Sequence, residues 1–379
     1  MIPLPRPFQR AERRPRPRVL LGVVALVVLV WAGSAAARPA SPRPTPGRPT
    51  PPRPWVGPVA TGAWMPTDLT LQTNALLADA THPAALFAAT DDGVWRSGDG
   101  GRRWQRAGSG LRGATIMTLA AAPGGGALFA GAADGTVSLK RTHGDGAWRR
   151  VSPSLGVNPI YSLTVSPDGR ETLLAGTVGG LYRGTRTGSG WRWQQVARTG
   201  DAAVTSIVWA PSKPRTGIGF ASVFGVSPPV LMTRDGGWTW RAAVAGLPSV
   251  LPTQTLLALS APHPRLILTT MGGGVWEQEA TSPWRDISAG LPERHAMALV
   301  ALPRSGRPVL YGGTMGDGVY VKQGDAAWQR LGHGLTGVDN TILALAATAG
   351  SPHALLAGTV SGVFRYVATR GSVSADEQR

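Results

Sequence analysis

Seven tryptophans recur along the chain at intervals of 40 to 47 residues. They are Trp64, Trp104, Trp148, Trp193, Trp240, Trp284 and Trp328. A turn and a short apolar run precede six of them, as in DDGVW at 91–95 and DGVY at 317–320. Self-similarity at a fixed period of this size is typical of repeat architectures. The chain is therefore predicted to consist of seven similar units.

Each unit contains four short apolar runs separated by Gly, Asp and Pro. In the second unit these runs are IMTLAAA (116–122), ALFAGA (127–132), TVSLKRT (136–142) and AWRRVSPSL (147–155). Such spacing predicts four antiparallel strands joined by tight turns. A small sheet cannot bury both faces alone, but sheets packed around an axis do so. The pattern predicts an all-β, seven-bladed β-propeller with four-stranded antiparallel blades.

Each end of the repeat region contains an incomplete unit, and together the two ends supply the four strands of one blade. The seventh unit, 342–370, has three predicted strands and no tryptophan, whereas residues 62–71 form a single run that carries Trp64. Pairing this N-terminal strand with the last blade closes the ring and leaves no sheet edge in it. The propeller is expected to extend over residues 59–370, and residues 371–379 are expected to be a disordered tail.

A stretch of 19 uncharged residues, 19–37, follows an arginine-rich stretch, 1–18. About 20 apolar residues span a bilayer as a helix, and basic residues favour the cytoplasmic side. Residues 19–37 are predicted to form one N-terminal hydrophobic helix that anchors the chain in the cell membrane. Residues 1–18 would then be a basic cytoplasmic N-terminus. Alternatively, 19–37 is a signal peptide that is cleaved near Ala37 and gives a secreted or periplasmic protein.

A Pro- and Arg-rich linker, residues 38–58, follows the apolar stretch. Such a composition favours extended polyproline II, which makes a semi-rigid spacer. In both N-terminal interpretations the propeller lies outside the cytoplasm. The linker is therefore expected to hold it away from the membrane.

The charge and the cysteine count exclude several classes of function. The formal net charge is +17, but ten of the 38 basic residues lie within residues 1–58. No basic stripe with interleaved aromatic residues occurs elsewhere, so nucleic-acid binding is not expected. The chain has no Cys, which excludes disulfides, thiolate metal sites and Cys nucleophiles. No metal or cofactor is expected.

Two nearly identical segments, SGDGGRRW at 97–104 and TRDGGWTW at 233–240, combine an Asp-Gly-Gly turn with a tryptophan. The chain resembles the BNR/Asp-box β-propellers on these residues. In layout it is similar to the photosystem II assembly/stability factor family, and more distantly to sortilin-type and sialidase propellers. The resemblance implies that the Asp side chains accept turn N–H groups, that the Gly residues adopt strained φ, and that the Trp side chains are buried. These structural residues are Ser97, Asp99, Gly100, Gly101, Trp104, Thr233, Asp235, Gly236, Gly237 and Trp240.

The residues that a sialidase needs are not evident. The Arg-Ile-Pro motif of that family does not occur in this chain, and many of the acids past residue 58 occupy recurring turn positions. The chain is therefore expected not to be an enzyme. A glycan-active hydrolase of the BNR type or a glycan-binding lectin stays as the alternative. For these, the acids to test are Asp201, Glu293 and Asp339.

Propellers usually bind ligands through the loops that join one blade to the next. Polar residues that do not recur between units are the best candidates there, because the fold does not require them. They are Arg112, Asn158, Asp201, Gln254, Glu293, Arg294, His295, Asp339 and Asn340. The longer loop within 222–231 is a second candidate. The sequence thus predicts a non-catalytic, membrane-tethered scaffold that binds a protein partner, with a glycan as the alternative ligand.

Overall fold

The computed structural model describes residues 62–368 except 80, 83, 142–145, 157–158, 168–171, 189, 212–216, 260–264, 281, 293, 304–306 and 349–353. The predicted N-terminus, hydrophobic helix, linker and C-terminal tail lie outside the described residues. Within the described ranges, no helix is long and apolar enough to cross a membrane.

Strands account for nearly all regular structure, as expected for short apolar runs between turn residues. In chain order the strands are β1 (Gly62–Pro66), β2 (Thr73–Ala78), β3 (Leu86–Thr90), β4 (Gly93–Ser97), β5 (Gln105–Arg106), β6 (Ile116–Ala121), β7 (Ala127–Ala132), β8 (Val137–Arg141), β9 (Arg149–Arg150), β10 (Ser162–Val165), β11 (Thr172–Thr187), β12 (Gly190–Trp209), β13 (Gly219–Val223), β14 (Val230–Thr233), β15 (Arg241–Ala242), β16 (Thr253–Leu259), β17 (Arg265–Thr270), β18 (Val275–Glu279), β19 (Arg285–Asp286), β20 (Ala296–Leu302), β21 (Val309–Thr314), β22 (Val319–Lys322), β23 (Gln329–Arg330), β24 (Ala344–Ala347), β25 (Leu355–Gly358) and β26 (Val363–Ala368). One 3-10 helix, Gly337–Asn340, precedes β24.

Five of the sheets formed by the described residues are four-stranded and antiparallel. The first, second, fifth and sixth units form the sheets β2–β5, β6–β9, β16–β19 and β20–β23. The outer strand of each has only two paired residues. In the second unit, β9 is thus shorter than the run that the sequence predicts for 147–155. The prediction of an all-β propeller with four-stranded blades is thus confirmed for these units.

The third and fourth units share one sheet of six strands, in the order β10-β11-β12-β13-β14-β15. The seven separate blades predicted from the sequence are therefore wrong in number, since the described strands form six sheets. The reason is that β11 and β12 have 16 and 20 residues and run through positions where the other units have turns or loops. A bulge marks the turn position, between Val178 and Gly180, and Gly179 adopts φ +90° there.

The innermost strands of the seven units surround a common axis. They are β2, β6, β10, the second half of β12, β16, β20 and β24, and each contacts the next. The ring closes as predicted: β1 pairs with β26, with Trp64 opposite Tyr366. This sheet has the order β1-β26-β25-β24, so the two ends of the repeat region share one blade.

Tryptophan side chains link neighbouring units. Five of them donate the indole N–H to a backbone carbonyl of the preceding unit, at 2.7 to 3.4 Å: Trp64 to Leu331, Trp148 to Ala107, Trp193 to Val151, Trp284 to Ala243 and Trp328 to Ile287. Trp104 and Trp240 instead donate to Gly101 and Gly237 within their own turns. Trp104 is buried. Trp240 is half-buried, which corrects the prediction, because it packs only at the margin of its cluster.

Candidate functional site

Connections between strands alternate between the two ends of the propeller, because neighbouring strands are antiparallel. One end carries the connections from each outer strand to the next innermost strand, together with the turns between second and third strands. We call this end the loop face. Seven of the nine predicted binding residues are described, and all seven lie on it. The other two, Asn158 and Glu293, lie outside the described residues.

Arg112 lies beside a fixed carboxylate. Asp92, between β3 and β4, pairs with Arg106 and accepts the Gly113 N–H at 2.6 Å. The hydrogen bond from Arg106 is the largest influence on the pKa of Asp92, which is lowered, and the charge of Arg112 acts in the same direction. Arg106 and Arg112 also line a cavity of about 410 Å³ together with Trp148. Asp92 is thus held by the fold, whereas Arg112 is exposed.

The Arg294 side chain is hydrogen-bonded to neighbouring residues of the fold. Arg294 adopts φ +57°, a backbone conformation that is uncommon for residues other than Gly. Its Nη2 donates to Asp286 Oδ2 at 2.6 Å and to the Gly273 carbonyl at 3.1 Å. The neighbouring His295 is half-buried and packs over Gly272, where a Cβ would lie 3.2 Å from Nε2. Arg294 therefore holds its loop, whereas the His295 side chain makes no hydrogen bond with the described residues and is the better candidate for binding.

The carboxylate of Asp286 is part of the same arrangement. Partial burial alone would raise its pKa, but hydrogen bonds from Ser288 and Arg294 outweigh burial, and the pKa is lowered. The Ser288 hydroxyl in turn accepts the Val275 N–H at 2.8 Å. The contact between Asp286 and Arg294 was not evident from the sequence, because Asp286 lies on β19 and Arg294 lies in the loop that leads to β20 of the next unit.

Asp339 and Asn340 fix the loop before the last unit. The Thr359 hydroxyl donates to Asp339 Oδ1 at 2.7 Å. The Gly318 N–H donates to the Asn340 carbonyl at 2.8 Å. Arg330 approaches the Asn340 side chain at 3.4 Å. These bonds give both predicted residues a role in holding the loop.

The remaining predicted residues differ in exposure. Asp201 is exposed on β12, and its side chain makes no hydrogen bond with the described part of the chain. Gln254 is half-buried at an irregularity of β16. The candidate loop within 222–231 is tied down, because Phe224 is buried and Gly225 donates its N–H to the Leu251 carbonyl at 2.9 Å.

A ring of bulges around the axis was not evident from the sequence. The register shifts by one residue at corresponding places in β2, β6, β12, β16 and β20. Bulges redirect side chains. In three units the redirected side chain donates to a carbonyl of the next unit: Asn74 to Ile116 at 2.9 Å, Thr205 to Thr253 at 3.2 Å and Thr255 to Met297 at 2.7 Å. The recurrence of a polar residue at this point of the repeat was the signal that could have located them.

The two Asp-Gly-Gly segments form matching turns at the end opposite the loop face. Asp99 Oδ1 accepts the N–H groups of Arg102 and Arg103 at 2.9 and 3.0 Å, and Ser97 Oγ accepts that of Gly101 at 2.9 Å. Gly100 and Gly101 adopt φ +74° and +83°. The side chains thus satisfy turn amides, and Gly avoids the penalty of positive φ.

The second turn repeats these contacts around Asp235. Its Oδ1 accepts the N–H groups of Trp238 and Thr239, both at 2.9 Å. Burial alone would raise the pKa of Asp235, but hydrogen bonds from Thr239, Thr233 and Trp238 lower it to about 2. The carboxylate is therefore a structural anion at neutral pH.

The described loop face offers few free acids. Asp92, Asp286 and Asp339 each accept hydrogen bonds from the fold. Hydrolysis of a glycoside requires two carboxyl groups that face each other across the sugar. The described residues include no group of three or more His, Asp or Glu that could hold a metal ion. Exposed Arg112, exposed Asp201 and half-buried His295 are the side chains best placed to meet a ligand.

Comparisons with known proteins agree with this architecture. No family model and no curated protein sequence matches the chain. Among solved structures, an ancestral GH74 enzyme matches with a TM-score of 0.63 and 16% identity over 82% of this chain and 46% of the other. The GH74 enzyme of Niastella koreensis matches with a TM-score of 0.61 and 15% identity over 80% and 53%.

An extracellular domain is also similar in structure. The extracellular domain of a proposed one-component system from B. thetaiotaomicron matches with a TM-score of 0.59 and 15% identity, over 81% of this chain and 40% of the other. The chain thus spans about half the length, or less, of these relatives. At such low identity the similarity shows the fold alone. The sheets, their order and these similarities together identify the chain as an all-β propeller.

Proposed function

We propose that the chain is a non-catalytic binding module that offers its loop face to a protein partner outside the cytoplasm. The observation that carries this proposal is the state of the loop-face acids. Asp92, Asp286 and Asp339 are bonded within the fold, so they are poor candidates for acid–base chemistry. Arg112 and His295 are available for contacts, and they favour a partner with an acidic surface.

The location follows from the N-terminal sequence. Residues 19–37 would anchor the chain in the membrane, and residues 38–58 would hold the propeller away from it. A solved relative that is itself an extracellular domain supports a position outside the cytoplasm. We further place the chain among the Asp-box propellers, because its two Asp-Gly-Gly turns share one hydrogen-bond pattern.

Crosslinking in the native membrane tests this proposal, with the full-length chain as bait. Arg112→Ala and His295→Ala together should abolish capture of a reproducible partner. Arg241→Ala is the matched control, since Arg241 is exposed on β15, away from the loop face, and should leave capture intact. Equal capture by all variants would contradict docking on the loop face.

A hydrolase is the second candidate, because several similar structures are GH74 enzymes and Asp201 is exposed on the loop face. Xyloglucan and aryl-glycosides are suitable substrates to test, since one of these structures is described as a xyloglucanase. The binding-module proposal expects no turnover. Turnover that Asp201→Asn or Glu293→Gln abolishes would establish the hydrolase instead.

A further inference from the structure

A cavity of about 610 Å³ separates the sheets of the fourth and fifth units. It lies at the end opposite the loop face, because its walls include the segments around Ala210 and Leu259 that join first to second strands. Its size is within the range of small-molecule sites, about 300–1,000 Å³. Its described walls include Phe220, Met232, Arg234, Ala258, Arg265 and Leu266.

This cavity exists because many of the residues around it have small, apolar side chains. Six of the lining residues are alanines, and Phe220, Met232 and Leu266 supply the larger apolar surfaces. Trp284 and Val230 belong to the buried cluster of the same gap. The cavity can therefore remove an apolar group from water, which is favourable in proportion to the area buried.

The charged residues at the cavity have one sign. Arg234 and Arg265 are among its lining residues, and no described lining residue carries a carboxylate. Arg265 is engaged elsewhere: its guanidinium pairs with the buried Glu277. Residues two positions apart on a strand face the same side of the sheet. Ile267, two residues after Arg265, packs in the gap between the fifth and sixth units, so the Arg265 side chain faces that gap as well. Arg234, which is exposed, is thus the cation available at the mouth.

We propose that this cavity binds a small amphipathic carboxylate. The apolar body would lie between Phe220 and Leu266, and the carboxylate would pair with Arg234. Arg binds carboxylates through paired N–H groups, whereas it repels a cationic head group. The site is separate from the loop face and does not depend on the proposed function.

Three probes of equal chain length and different charge test this site: octanoate, 1-octanol and octylammonium. The full-length chain is labelled with ¹³C at its methionine methyl groups and titrated in lipid nanodiscs. Met232 lines the cavity, whereas Met315 lies in the loop after β21 and serves as the internal control. Octanoate should shift the Met232 signal saturably without moving Met315. It should bind at least about threefold more tightly than octylammonium, as expected for one exposed ion pair.

Filling the cavity should abolish the effect. Ala258→Leu places a larger side chain in the cavity and should weaken octanoate binding at least about tenfold. Ala301→Leu is the matched control, because Ala301 pairs with Leu310 as Ala258 pairs with Leu266, but in the next sheet. Ala243→Leu fills the cavity from the opposite wall and serves if Ala258→Leu does not fold.

The head group is tested separately. Arg234→Ala should reduce the preference for octanoate over octylammonium, and Arg241→Ala should not. Three results would overturn the proposal: no saturable Met232 shift, equal binding of the anionic and cationic probes, or full binding by both filled variants.

Discussion

Arg365 donates its Nε–H to the backbone carbonyl of Gly100 at 3.1 Å, across 265 positions of sequence. Arg183 reaches the carbonyl of Gly236 at 3.4 Å in the same way. The two arginines occupy the same position in their respective units. In each unit the arginine pairs, across two neighbouring strands, with the residue that directly follows the tryptophan. Each Asp-Gly-Gly turn is therefore held by an arginine of the preceding unit. For Gly100 this contact also spans the closure of the ring.

Arg365→Ala should lower the free energy of unfolding by about 1.5 kcal/mol, since it removes a hydrogen bond from a charged donor. Urea denaturation monitored by tryptophan fluorescence measures the change. Arg96→Ala is the control, because Arg96 holds the same repeat position but is exposed, and it should change stability by less than about 0.5 kcal/mol. Equal effects would mean that the contact with Gly100 contributes nothing.

Gly101→Ala should lower the free energy of unfolding by about 2–4 kcal/mol. Gly101 has φ +83°, and an added Cβ would lie 2.1 Å from Leu356 Cδ2, so backbone strain and overpacking act together. Gly98→Ala in the same turn meets nothing within 4 Å and should be nearly neutral. Thermal unfolding of the two variants gives the comparison. A neutral Gly101→Ala would show that this turn differs in solution.

Trp64→Ala should destabilise the protein by about 3–5 kcal/mol, as large core truncations do. Trp64 is 2% exposed and donates to the Leu331 carbonyl at the closure of the ring. Trp238→Ala is the control, because Trp238 is 47% exposed, and its effect should stay below about 1 kcal/mol. Chemical denaturation distinguishes them. A small effect of Trp64→Ala would contradict closure through β1.

Stability should fall in acid partly through Asp235. Its pKa of about 2 in the folded protein lies below the ordinary value of 3.8, so ionised Asp235 stabilises the fold above pH 4. This contribution should disappear as the pH falls from about 4 towards 2. Asp235→Asn removes it, so the difference in urea midpoint between wild type and variant should be largest at pH 7 and shrink towards pH 2. A difference independent of pH would contradict this assignment.

Local sequence patterns predicted much of the fold. The recurrence of tryptophan located the units, and the orphan run at 62–71 predicted the pairing of β1 with β26. The Asp-Gly-Gly segments predicted their own turns, because the hydrogen bonds of a turn join residues a few positions apart. Periodicity did not reveal that the third and fourth units share a sheet, since that depends on whether β12 is interrupted.

The candidate sites depended more on tertiary structure. Sequence reasoning proposed Arg294 and Asp339 for binding, but their side chains bond to Asp286 and Thr359 and hold the loops. The cavity between the fourth and fifth units was not evident in the sequence. It exists because alanines from separate strands face each other across a gap. The sequence by itself thus determined the repeating unit, its turns and the closing strand, which depend on near neighbours and hydrophobic period. Only the tertiary structure decided which polar groups are free and where space remains, because both depend on residues that folding brings together from distant positions.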